Sequence, residues 1–167
     1  RLRLLNFDGY QHLLTETVSE NIVLYDIDEA FLKANGQWPP RRDVIGQLVE
    51  DLYTQGAALV VLNILFAETD RLGGDEAFIS VLKQVPVVGT QAASSRGIDT
   101  VATPRGLSYS GNPFPHLFHY PGAVKNIKPI ADALTGIGMV STVPELDGVV
   151  RRMPLFVRVG EKTIYPP

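Results

Sequence analysis

The chain has 167 residues, 45% of them hydrophobic and 20% charged, with a formal net charge of −3. That composition fits one globular domain with a sizeable core and excludes a disordered chain, while the weak acidity and the lack of a Lys/Arg cluster interleaved with aromatics argue against a nucleic-acid surface. The absence of cysteine excludes disulfides, thiolate metal sites and cysteine nucleophiles, and no run approaches the roughly 20 apolar residues of a membrane span.

At the amino end, Leu2, Leu5, Leu13, Leu14 and Val18 recur with approximate helical spacing. Residues 1–20 therefore read as a helical region, one helix or two broken at Asp8-Gly9. It suits either a surface helix packed on the core or a stalk continuing from a membrane segment upstream. The chain opens at Arg1 and stops at Pro167 directly after an apparent strand, as an excised piece of a longer protein does.

Ile22-Val-Leu-Tyr25 is a short, β-rich apolar run that predicts a buried strand closed by Asp26 and Asp28. Ala30 to Lys33 predicts a single helical turn. After Trp38 and Pro39-Pro40, a helix carrying Val44, Ile45, Leu48, Val49 and Leu52 on one face is expected, with Gly56 ending it. Ala57 to Phe66 is nearly continuous apolar sequence, the pattern of a parallel strand covered on both faces. Asp75 can cap a second helix bearing Phe78, Val81 and Leu82, stopped by Pro86, and Val87-Val88 starts a third strand.

Residues 92–128 are rich in Gly, Pro, Ser and Asn and hold no period, so a long irregular loop region is expected there. Ile130 to Leu134 predicts a short helix ended by Gly136, and Ile137 to Thr142 a strand. Asp147-Gly148 predicts a tight turn into a strand over Val149 to Val159, in which Pro154 marks an edge or a bulge. Gly160-Glu161 gives a further turn before Thr163 to Tyr165. The fold class expected is α/β: a mixed sheet with a parallel βαβαβ start, helices packed on it, and an antiparallel C-terminal meander, in one domain over residues 1–167.

Several local patterns suggest chemistry. Arg71-Leu-Gly73-Gly74-Asp75-Glu76-Ala-Phe78 is similar to the signature of the GGDEF diguanylate cyclases, loosely supported by Asp26, Asp28, Phe31, Lys33 and Asn35 upstream. Ala77 interrupts that motif, and the expected helix after it differs from the hairpin and strand of those cyclases. His116 and His119 are spaced for one helical face of a metal site, but Pro113 and Pro115 argue against a regular helix and no third ligand is near. No nucleophile elbow, zinc-binding helix or catalytic triad spacing occurs.

The polar residues that follow the apolar runs are the candidate site. In open α/β sheets, ligands bind beyond the carboxyl ends of the parallel strands. Asp26, Asp28, Asn63, Glu68 and Gln91 fall at those ends, Trp38 can supply an apolar wall, and Arg41 a planar fork for a carboxylate. Two roles remain open for this set: a ligand rim, or structural support in which Arg41 pairs with Asp26 or Asp28 and Trp38 plugs the core.

The whole chain resembles the type-two CHASE domain, the cyclase- and histidine-kinase-associated sensory extracellular domain. The resemblance lies in Asp26-Ile-Asp28, Gly36-Gln-Trp38-Pro-Pro-Arg41, the helix ending at Gly56-Ala57, Ile64-Leu-Phe66-Ala-Glu68 followed by Asp75, Asp147-Gly148-Val-Val-Arg151-Arg152-Met-Pro154, and Tyr165-Pro166. Pro40 stands where the family often has a second Trp, and Asn63 where an Asp is common. The resemblance implies a non-catalytic extracytoplasmic sensor between membrane segments. It would bind an unknown small molecule or partner protein and regulate a cytoplasmic output such as a nucleotide cyclase or histidine kinase. No cofactor is expected, and a homodimer is compatible with this reading. The competing expectation is a soluble α/β enzyme, including a diverged diguanylate cyclase.

Overall fold

In the computed structural model, which describes residues 2–15, 18–96, 108–161 and 163–166, the apolar spacing at the amino end forms one helix, α1 (Leu2–Leu13), and Asp8-Gly9 does not interrupt it. The chain divides into two units, Arg1–Gly36 and Gln37–Pro167. Within the first, α1 buries no residue. The strand expected at Ile22 to Tyr25 does not form: the run takes no ladder partner, and its side chains are 51% to 92% exposed. An apolar run becomes a strand only when a neighbour accepts its backbone groups, and propensity does not supply one. The helical turn expected at Ala30 to Lys33 is instead a seven-residue helix, α2 (Glu29–Asn35). Capping at both ends extends it. The Asp28 carboxylate accepts from the Phe31 N–H at 2.9 Å, and the Gly36 N–H donates to the Leu32 carbonyl at 2.8 Å.

The second unit carries the sheet expected from the alternation of apolar runs and helices. After the cis Trp38–Pro39 bond comes α3 (Arg42–Thr54), whose inward face is Ile45 and Val49 with Val44, Leu48 and Leu52 partly covered. Strand β1 (Val60–Val61) leads through a loop to α4 (Asp75–Leu82), and α4 makes the crossover that a parallel pair needs before β2 (Val87–Ser94). The mean α/β pattern thus survives without the Ile22 run.

β2 is the central strand. It lies parallel to β1, with Val60 opposite Val87, and parallel to β5 (Gly136–Met139), with Val88 opposite Gly136. Its far end pairs antiparallel with β4 (Gly122–Val124). Between β4 and β5 runs α5 (Lys128–Ala133), which ends where Leu134 turns extended; Gly136, expected to end the helix, opens β5 instead. A second, three-stranded sheet has the order β3-β6-β7, from β3 (Phe118–Tyr120), β6 (Val157–Val159) and β7 (Thr163–Tyr165). β3 is parallel to β6, and β6 antiparallel to β7 across the Gly160-Glu161 turn. The fold is mixed α/β, as expected.

Three expectations are revised in extent. The apolar run from Ala57 to Phe66 keeps a ladder for only two residues, with Val61 68% exposed, because the Phe66 backbone is held elsewhere: its N–H donates to Asn126 Oδ1 at 2.8 Å and its carbonyl accepts from Ile127 at 2.8 Å. The irregular region of 92–128 contains the end of β2, a 3₁₀ turn at Phe114–His116, β3 and β4, while residues 97–107 lie outside the described residues. The Asp147-Gly148 turn forms, with the Glu145 N–H donating to Val149 at 3.0 Å, yet the strand after it is confined to β6. Pro154 has no N–H to give a ladder, and Arg151 and Arg152 bond back to Asp147 and Glu145 instead of across a sheet.

The core follows from these contacts. α3 packs on α4 and α4 on α5, burying Ile45, Val49, Phe78, Leu82 and Ile130. A smaller cluster of Ala123, Met139, Val157, Val159 and Tyr165 lies where β5 meets β7. Burying each large side chain is worth roughly 1.5–3 kcal/mol. One close approach constrains the sequence: a Cβ at Gly89 would lie 2.4 Å from Leu134 Cδ1, and Leu134 is 2% exposed. Gly89→Ala is accordingly expected to cost about 1–3 kcal/mol, read as a lower urea midpoint at unchanged m-value, and adding Leu134→Ala should cost less than the sum of the two single changes.

Candidate functional site

At the carboxyl end of β1 the chain turns through residues 62–74 and meets the amino ends of α3 and α4. Asp70 sits between those two helix starts. Its Oδ2 accepts from the backbone N–H of Arg42 at 3.0 Å and of Gly74 at 3.1 Å, and its Oδ1 from Leu72 at 2.9 Å. Helix amino ends present unpaired N–H groups and partial positive charge, so one carboxylate satisfies both at once. Burial works against ionisation of Asp70, but the three N–H donors and the nearby Arg42 charge outweigh it and hold the carboxyl below its ordinary value. Gly74 is required by this convergence: a Cβ there would stand 2.6 Å from the Asp43 nitrogen and 2.9 Å from Asp70 Oδ2.

Arg42 locks the same corner from inside. Only 8% exposed, it donates to Asp75 Oδ1 and to the Glu68 carbonyl, and its guanidinium lies 5.2 Å from the Phe66 ring centroid. Asp75, the first residue of α4, also accepts from the Asp70 N–H at 2.9 Å through Oδ2. Phe66 in turn meets Phe78 with ring centroids 4.9 Å apart. Asn126, 2% exposed, closes the rim from the other side by accepting from Phe66 N–H and donating to the Thr90 carbonyl at 2.9 Å.

The residues singled out from sequence divide between frame and surface. In the second unit, Trp38 is 55% exposed and does not plug the core, while Asn63 and Glu68 have exposed side chains. Arg41 is also exposed and forks onto Asp43, at 3.0 and 2.7 Å, which corrects the expected pairing with Asp26 or Asp28. The reason is proximity: Asp43 is two residues away at the start of α3. Gln91 is 1% exposed, beneath the surface and not on a rim. In the first unit, Asp28 is committed to capping α2 and Asp26 is exposed.

Sequence reasoning missed Arg42, Asp70 and Asn126. A signal for the first was available, since Arg42 falls on the apolar face of α3, one turn before Ile45 and two before Val49. The GGDEF-like octet is not a nucleotide cradle: Asp75 opens a helix and is spent on Arg42 and Asp70. Among the described residues no group of three or more His, Cys, Asp or Glu could hold a metal, and His119 Nε2 instead lies 3.0 Å from the Gly160 carbonyl. A groove of about 610 Å³ lies between α4 and α5, at the amino end of β2, with Ile79, Leu82, Lys83, Val85 and Leu134 among its lining residues. That is the opposite end of the sheet from Asn63 and Glu68.

Fold and corner together define a mixed α/β domain in which Asp70, Arg42 and Asp75 tie the amino ends of α3 and α4 to the loop after β1. The CHASE2 domain family model matches residues 1–167, and the chain belongs to that family, whose members are sensory extracellular domains of signalling receptors. No curated protein and no solved structure gives a significant match.

The corner generates two predictions. Arg42→Ala strands Asp75 in a partly buried position and is expected to cost roughly 3 kcal/mol in chemical unfolding, whereas Arg41→Ala, which removes an exposed pair, should leave the melting temperature nearly unchanged. Asp70 gives a pH signature. Its folded pKa lies below 3.8, so its contribution is complete above that value and is lost as pH falls through the lowered folded value. Asp70→Asn should therefore be less stable than the parent at pH 7, with the difference shrinking at strongly acid pH; a constant difference would contradict the assignment.

Proposed function

We propose that this chain is the signal-input domain of a membrane-bound bacterial receptor, positioned outside the cytoplasm, and that it regulates a cytoplasmic output such as a nucleotide cyclase or a histidine kinase. The observation that carries this reading is the match to a sensory family along the full 167 residues. No helix among the described residues is long and apolar enough to cross a membrane, so flanking segments of the intact protein would supply the anchor. The domain itself would act by binding, without chemistry.

In this reading the signal is an unidentified small molecule or partner protein. Trp38, Arg41, Asn63 and Glu68 are the contact set on the second unit; on the first unit, taken by itself, Asp26 is the exposed acid that caps nothing. The support is physical: an exposed indole, an amide and a carboxylate offer stacking and hydrogen bonding above a frame whose own charges are already matched. A signal shifts such a receptor only if it binds two arrangements of the protein unequally.

The test has two arms. The intact gene should encode apolar spans around this segment and an output domain; a gene without them overturns the reading. The purified domain, screened by thermal shift against small metabolites, should be stabilised by a specific compound, by about 2.7 kcal/mol at 100 times its Kd. Trp38→Ala and Glu68→Gln should weaken that compound at least ten-fold without lowering the melting temperature of the free domain. Binding that resists both changes but fails with Lys83→Ala would move the site to the groove between α4 and α5.

A further inference from the structure

Among the described residues, five buried side-chain polar atoms of the second unit have no hydrogen-bond partner: Thr90 Oγ1, Arg158 Nε and, the three of interest, both amide atoms of Gln91 and the Tyr165 hydroxyl. Gln91 is 1% exposed and Tyr165 is 0% exposed, and Gln91 Oε1, Gln91 Nε2 and the Tyr165 hydroxyl make no hydrogen bond among the described residues. They are neighbours. The Gln91 amide is near enough to influence the phenol, although burial has the larger effect and pushes Tyr165 up to about 12.

Their place in the fold explains why they meet. Gln91 lies on β2 opposite Met139 of β5, and Met139 shares a buried cluster with Tyr165 of β7. The Met139 N–H also donates to the Pro166 carbonyl at 2.9 Å, so β5, the neighbour of β2, is already tied to the residue that follows β7. The remaining members of that cluster, Ala123, Val157 and Val159, offer neither charge nor hydrogen bonds.

An amide and a phenol left unpaired in such surroundings each cost about 1–3 kcal/mol, and folded interiors avoid this almost everywhere. The same domain shows the usual solution at Asn126, equally buried, which uses both ends of its amide. A single direct bond between Gln91 and Tyr165 would leave one amide atom unmatched.

We propose that Gln91 and Tyr165 together hold one internal water molecule, a structural ligand that joins β2 to β7. Water fits the chemistry because the two side chains offer it both donors and acceptors, in the number that buried waters normally use. Gln91, which the sequence placed among ligand contacts, then binds a ligand of a different kind, sealed from solvent.

The experiment combines detection with a sign test on the isotopically labelled 167-residue domain. Water-to-protein nuclear Overhauser spectra should show a long-lived water near the Gln91 side-chain amide, lost in both Gln91→Leu and Tyr165→Phe. Each single variant should lower the folding equilibrium constant about ten-fold, and the double variant by less than the product of the two. If Gln91→Leu is as stable as the parent or more so, an unpaired amide was merely removed and the proposal falls. Strong coupling between the variants with no bound-water signal would also overturn it, in favour of a direct bond. Should either variant fail to fold, the water signal in the parent domain decides alone.

Discussion

Two helices that begin at one point create an electrostatic problem, and its solution organises the larger unit. The amino ends of α3 and α4 bring unpaired N–H groups and two partial positive charges together. Asp70 answers both with one carboxylate, and Gly74 keeps the approach close enough for it to do so. Without an acceptor there, the N–H groups of Arg42 and Gly74 would lose the partner they share. Everything at the carboxyl end of β1 is then arranged around that fixed point.

Arg42 extends the same constraint inward. Its charge is matched by Asp75 and a backbone carbonyl, and its flat face covers Phe66, which itself packs on Phe78. A buried ion pair is weak evidence for net stability, because desolvation offsets much of the attraction. The partners of Arg42 join the start of α3 to the segment between β1 and α4, at the Glu68 carbonyl, and to the start of α4, at Asp75. The Phe66 backbone, captured by Asn126 and Ile127, fixes that loop against the β4–α5 connection as well.

The buried charges of this frame are matched within it: Arg42 by Asp75 and the Glu68 carbonyl, and Asp70 by three backbone N–H groups. The side chains of Trp38, Asn63 and Glu68 stay exposed outside that frame. The two sheets meet differently, through the apolar cluster around Met139 and Tyr165. Charge thus positions one part of the unit and packing the other.

The sequence by itself determined the local elements and the class. Apolar periodicity placed α3 and α4, the alternation of runs and helices placed a mixed α/β sheet with a parallel start, and the ordered motifs from Asp26 to Tyr165 pointed to the family. It could not decide partners. The Ile22 run has strand composition but no ladder, the run from Ala57 to Phe66 leaves its ladder after two residues, and Arg41, the residue that looked poised to pair with distant acids, found Asp43 next door. The residue beside it, Arg42, became the buried one. Which of two adjacent arginines points inward depends on helix phase against a neighbour that is distant in sequence. Likewise Gln91 ends a strand in sequence but lies under a second sheet in space. Composition and period report what a residue favours; only the tertiary structure supplies the group it faces, because burial, hydrogen-bond partners and charge neighbours come from segments tens of residues away.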